Sequence, residues 1–269
     1  MYRPLVFVKG IIGKYLNALT DEINTDLAFI GEVLGTAWRI LVKNFGIIII
    51  YSILSVFVLF IIGIFSAFAN INKDILIPLI VFFALLFIQA YTTLGLYKLI
   101  FTLIDSEYYE FEVSQIVPSF RMIITYVALS IISAAIIAGY NVFLLQLFLK
   151  GHGIVEEIFK AIEMIVILYL ALRFMFCISY IVDDGSGPIE SLKQSFNLTR
   201  SNIFKIILLL LAFFVVIAIP AFGVIKLNWK ILVLLVIVIY PYINIVLSVV
   251  YRKLIHDAKG IDDIISETI

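Results

Sequence analysis

The side chains that could carry chemistry are few and scattered. His152 and His256 are the only histidines, and they flank different apolar segments, so neither an HExxH zinc motif nor a histidine metal cluster can form. The single cysteine, Cys177, excludes an intramolecular disulfide and a CxxC site; inside an apolar run it reads as a small buried residue. No GxSxG is present, and Gly185, Ser186 and Gly187 read as the stop before a helix. Gly151, His152 and Gly153 lack the third glycine of a dinucleotide loop and read as a turn. No two aspartates face each other from opposing apolar runs, and the adjacent Asp183 and Asp184 mark a helix end, where solvation accounts for them. The sequence therefore predicts no catalytic residue, no metal site and no cofactor, and a protein that is not an enzyme.

These groups are set in an extreme background. The chain has 269 residues, 64% apolar and 14% charged, with a mean hydropathy of +1.17, which rules out an ordinary soluble domain. Nineteen Lys plus Arg balance nineteen Asp plus Glu, leaving no basic excess to attract nucleic acid. Apolar runs near 46–69, 75–104, 122–149, 160–182, 203–225 and 231–251 are each long enough to cross a hydrocarbon core of roughly 30 Å. The runs are continuous rather than alternating, so helices are expected, not strands. Short gaps after the first, third and fifth runs make three hairpins. The expected fold is all-α: a polytopic membrane protein of six transmembrane helices in three hairpins, each preceded by an amphipathic interfacial helix.

Only Lys73, Lys150, Lys160, Lys226 and Lys230 lie on the side away from the termini; apart from the span-embedded Lys98 and Arg173, every other Lys and Arg lies on the termini side. Positive residues are retained inside, so a multi-pass protein of the cell membrane with both termini cytoplasmic is expected. Lys9 interrupts the apolar stretch behind Arg3, so the first span, not a cleaved leader, serves as the insertion signal.

An internal repeat organises the chain. An offset of 158 places Leu34 on Leu192, Trp38 on Phe196 and Asn44 on Asn202, and an intermediate copy brings Ile116 onto Leu34, Phe120 onto Trp38 and Arg121 onto Arg39. The period is about 79 residues, each unit a polar-faced helix and a hairpin. The expected organisation is an interfacial segment over 1–30, a membrane domain over 31–256 with repeats near 31–110, 111–186 and 187–256, and a tail over 257–269. In the first elbow, Val33, Leu34, Ala37, Trp38, Leu41, Val42 and Phe45 share a face. In the third, Ile189, Leu192, Phe196, Thr199 and Ile203 form an apolar stripe opposite Glu190, Lys193, Asn197, Arg200 and Ser201. Gly187 as N-cap, Pro188 in the first helical position and Glu190 in the first turn mark its start. Residues 5–19 and the tail from Leu254 are further interfacial candidates.

The stretch 171–214 joins an Arg-bearing span, an acidic glycine turn, an amphipathic helix with Ser195 and Phe196, then Leu, Thr, Arg and a new span. With AWRILVKNFG at 37–46, it resembles the integral-membrane domain attached to some glycerophosphodiester phosphodiesterases and related six-span bacterial membrane proteins. The resemblance covers 31–256 and implies the architecture. The chain has no room for the soluble phosphodiesterase domain, so neither its metal ligands nor its hydrolytic activity carries over.

Polar residues inside spans are costly and need partners. Arg173 stands ten residues before Asp183, about 15 Å along an unbroken helix, near mid-membrane; Gln89, Asn141, Gln146, Tyr240 and Asn244 are its candidate partners. Lys98, roughly 10 Å deep, can snorkel along the second span. Lys193 and Arg200 lie two turns apart on the wet side of the third elbow, where they can receive a phosphate while acyl chains run toward Arg173. These four are the candidate lipid- or ligand-binding residues. Ser130, Ala134 and Ala138, beside Ala135 and Gly139, predict close approach of another helix, and Pro220 and Pro241 predict kinked or unwound spans. The expected partners are membrane lipids, anionic phospholipid among them, and a membrane protein or a second copy; a monomeric six-helix unit is favoured. The expected function is engagement of lipid or a protein partner at the cytoplasmic leaflet. The alternative is a small-solute transporter or channel, motivated by kinked spans and interior polar residues but lacking a filter-like ring.

Overall fold

A computed structural model describes residues 3–69, 76–105, 113–148, 153–224 and 229–267. Lys73, Lys150, His152 and Lys226 lie outside the described residues, as do the side chains of 5–19, Asn141, Gln146, Lys160, Pro220, Lys230 and the tail from residue 257. The elements are α1 (Arg3–Lys43), α2 (Phe45–Ala69), α3 (Leu76–Asp105), α4 (Val113–Ile116), α5 (Phe120–Phe148), α6 (Gly153–Phe174), α7 (Cys177–Asp183), α8 (Pro188–Ser201), α9 (Ile203–Val224) and α10 (Trp229–Glu267). No strand occurs among the described residues. A lipid-immersed backbone can satisfy its own N–H and C=O groups only as helix or closed barrel, and continuous apolar runs select helix. Among the described residues five stretches are long and apolar enough to cross a membrane, or up to six if the pair Pro188–Ser201 and Ile203–Phe214, bent by 90°, is counted as one span. The chain is an all-α polytopic membrane protein.

Three local features depart from the sequence reading. First, α1 is one 41-residue helix that runs straight through residue 30, joining the terminal interfacial segment to the first elbow. Second, the described part of the middle elbow is a single turn, α4, which stops before Pro118 because proline supplies no N–H and disfavours helix in the residue before it. Third, the helix is not unwound at Pro220 or Pro241, while a break comes at Met175 and Phe176, where no proline or glycine stands.

The elbows and spans close into a ring. Each elbow packs on the last span of the preceding unit: α4 on α3, α8 on α6 and α7, and α1 on α10. The buried core gathers where these last spans meet, through Leu94, Leu99 and Ile100 of α3, Ile181 of α7, and Ile245 and Val249 of α10. Tyr251 is its centre, packed edge-on against Phe101 and Tyr180 at 5.7 and 5.0 Å between ring centroids. The described stretches 133–139 of α5 and 164–169 of α6 are exposed, as lipid-facing helices are. Ala134, Ala135 and Ala138 are exposed and the space beside Gly139 is open, so the expected close helix approach is not made among the described residues.

Candidate functional site

The break between α6 and α7 frees backbone groups, and α8 satisfies them. The Ser195 hydroxyl donates to the Arg173 carbonyl at 2.7 Å and accepts the Phe176 N–H at 3.2 Å. One buried side chain thus replaces both halves of a missing helical connection. Close approach is permitted by a stripe of small hydroxyl residues, Ser191, Ser195 and Thr199, which together with Leu198 is the buried face of α8. This corrects the expected apolar stripe: Ile189 is 73% exposed, because the face that enters protein needs small residues, whereas apolar ones can face lipid. The start of α8 is built as its residues demand. Gly187 is extended at φ −68°, Pro188 occupies the first turn, and the Glu190 carboxylate accepts the Gly187 N–H at 3.4 Å.

The same contact holds Arg173. Its guanidinium carbon lies 5.0 Å from the Tyr169 ring centroid and 4.9 Å from that of Phe196, a cation–π sandwich between α6 and α8. Nε and Nη1 are buried without a hydrogen-bond partner among the described residues. The mid-membrane placement assumed an unbroken helix to Asp183; the break instead leaves Arg173 beside the elbow. Of its expected partners, Gln89 and Asn244 bond elsewhere: the Gln89 amide donates to Thr93 Oγ1 at 3.0 Å and that of Asn244 to the Tyr240 carbonyl at 2.8 Å, each within its own helix.

Lys193 and Arg200 are exposed on α8, as expected of its wet face. They stand three residues before and four after Phe196, so both neighbour the ring on which Arg173 stacks. No family model, curated protein or solved structure matches this chain. The site is therefore read from its own geometry: Arg173 stacks on Phe196, and helical spacing places Lys193 and Arg200 one turn to either side of that residue. Lys98 stands apart. Its Nζ donates to the Val117 carbonyl at 2.8 Å, meeting an acceptor at the Pro118 break rather than reaching along its own span toward solvent. Cys177 is buried, with its sulfur 3.6 Å from the Ser191 carbonyl, in keeping with the packing role expected of it.

A second polar cluster escaped the sequence reading. Arg252 of α10 donates to Asp183 of α7 at 3.0 Å and pairs with Asp105 at the end of α3, while the Tyr251 hydroxyl donates to Asp183 at 3.1 Å. Asp183 is thus an ion-pair partner, not a merely solvated helix end. An open cavity of about 370 Å³ lies beside the cluster, lined by Lys98, Phe101, Thr102, Asp105, Val182 and Asp183. Lys253 pairs with Glu32, tying α10 to α1 at the same end of the bundle. The signal was present in the sequence: Phe101 and Tyr180, which both pack on Tyr251, are one 79-residue period apart.

Proposed function

We propose that this integral membrane protein is not an enzyme and engages the phosphate of anionic lipid at the cytoplasmic leaflet, through the surface formed by α8 and Arg173. The observation that carries this reading is the Arg173 guanidinium, held between Tyr169 and Phe196 with two buried nitrogens lacking a protein acceptor among the described residues. A buried cationic donor without an acceptor is unfavourable, and a phosphate oxygen is the acceptor a guanidinium matches best. Lys193 and Arg200 flank the same ring and supply the charge that draws an acidic headgroup to the surface. The cytoplasmic placement, with both termini inside, rests on the excess of Lys and Arg on that side. Membership of the group that includes the membrane domains attached to glycerophosphodiester phosphodiesterases is part of this proposal, on the residues at 171–214.

Native mass spectrometry of purified protein tests it. Lys193→Gln/Arg200→Gln should lose retained anionic phospholipid, by about fivefold for each cation removed, with zwitterionic adducts and thermal stability unchanged. Undiminished anionic adducts at equal stability would reject the site. Solute flux in proteoliposomes that disappears with Arg173→Ala would replace it with the transporter reading.

A further inference from the structure

The first elbow carries a separate cationic groove. Between the end of α1 and the end of α3 lies a cleft of about 210 Å³, with Thr36, Arg39, Lys43 and Asn44 on the α1 side and Leu103 and Ile104 of α3 opposite. Arg39 and Lys43 are one turn apart and exposed. The neighbouring strip, Trp38 and Val42 of α1 with Phe45 at the start of α2, is apolar and equally exposed, Trp38 at 56%. Trp38 is held edge-on to Tyr242 of α10 at 6.0 Å, and the Tyr242 hydroxyl donates to the Leu34 carbonyl at 3.3 Å. Trp38 is therefore packed at the surface against α10.

This juxtaposition selects the ligand. A soluble anion needs the cations but not the apolar strip, and an apolar partner needs the strip but not the cations. An amphiphile with a phosphate joined to acyl chains needs both, side by side at headgroup depth, where tryptophan and tyrosine settle. The cleft is smaller than the roughly 300–1,000 Å³ of sites that enclose a whole small molecule, which suits a headgroup whose chains stay outside. We propose that this groove binds the phosphate of an anionic phospholipid, with Arg39 and Lys43 as donors and the acyl chains over Trp38, Val42 and Phe45. It is a second site, distinct from α8, and it rests on the lipid-engaging reading only for the side of the membrane it faces.

The protein contains two tryptophans, so Trp229→Phe leaves Trp38 as the only indole, beside the groove. This variant is reconstituted into bilayers containing either brominated phosphatidylglycerol or brominated phosphatidylcholine at equal mole fraction, and Trp38 fluorescence quenching is measured. Quenching by the anionic lipid should be favoured by about fivefold. Adding Arg39→Gln/Lys43→Gln should abolish the preference, whereas Lys193→Gln/Arg200→Gln should leave it intact. Should the double variant not fold, Arg39→Gln alone must at least halve the preference. Equal quenching by the two lipids, or a preference that survives loss of Arg39 and Lys43, would overturn the site. Loss of the preference on adding millimolar inorganic phosphate would overturn the lipid assignment and make it a free-anion site. A preference lost only with Lys193 and Arg200 would also overturn this groove, while leaving the α8 site standing.

Discussion

At the scale of single residues, the recurring device is a polar side chain spent on a backbone group that a helix break has released. Ser195 serves the Arg173 carbonyl and the Phe176 N–H, and Lys98 serves the Val117 carbonyl; at the two elbow-to-span junctions the Asn44 and Asn202 amides add a bond to the carbonyl four residues earlier, Leu198 for Asn202 and, for Asn44, Ile40, which also accepts the Asn44 N–H. In an apolar environment an unpaired backbone group has no water to turn to, so these contacts carry more weight than their number suggests. Ser195→Ala removes a donor and an acceptor at once and leaves two buried groups unmet. It should destabilise the protein by about 2 kcal/mol, read as earlier thermal unfolding in detergent. Ser201→Ala, whose exposed hydroxyl donates only to Asn197 within its own helix, should behave as wild type. Equal losses in the two variants would remove the special role of Ser195. That role was half legible in the sequence. The Ser195 and Phe196 pair stood out as a motif, but a pattern of letters gives no reason to expect that the hydroxyl closes a break nineteen residues earlier, because nothing near Met175 marks one.

Among the elements, what periodicity could establish and what it could not separate cleanly. The starts of α2, α5 and α9 at Phe45, Phe120 and Ile203 fall within two residues of the apolar runs, because in lipid the extent of an apolar run is itself the physical constraint. The elbows were harder, since an apolar stripe does not say whether it faces protein or lipid. On α1 the expected face divides: Val33, Ala37 and Leu41 are buried against the bundle, while Trp38, Val42 and Phe45 turn outward. On α8 the protein side is made of hydroxyls, which a hydrophobicity pattern scores as wet. Turn chemistry was the more reliable guide. Gly185, between α7 and α8, has φ +66°, a conformation that strains any residue with a Cβ, and the Tyr180 carbonyl there accepts the N–H groups of Asp184 and Ser186. Gly185→Ala should therefore cost about 1–2 kcal/mol, whereas Gly187→Ala, in ordinary extended backbone with open space around it, should change stability little. A chemical-denaturation comparison of the two separates strain from simple crowding; if Gly187→Ala is the more damaging, the turn is held by something other than the backbone conformation of Gly185.

For the whole molecule, the ring of elbow-on-span contacts means that the ends of the chain hold each other. α1 packs on α10 although more than two hundred residues separate Leu34 from Tyr242 in the sequence, and Arg252 joins α10 to both α3 and α7. The repeat arithmetic pointed to three equivalent units but could not reveal that they close, since closure is a property of packing and leaves no local pattern. Asn44 and Asn202 now give the repeat a geometric counterpart: each sits at an elbow-to-span junction and makes the same bond to the carbonyl four residues before it. Closure has a direct consequence for a divided chain. If 1–110 and 111–269 are expressed together as separate polypeptides, the cut falls between α3 and α4, and the two pieces still share the α1–α10, α3–α7 and α3–α4 contacts and the Arg252–Asp105 pair. They should insert and copurify as a stoichiometric complex in mild detergent. Arg252→Ala should weaken that complex, because it removes the Arg252–Asp105 pair across the cut, an exposed ion pair worth up to about 1 kcal/mol. Copurification that ignores Arg252 would show that apolar packing around Tyr251 holds the ring by itself. Pieces that insert stably but never associate would mean that the covalent connection between the units, not the packing of their elbows, keeps the bundle closed.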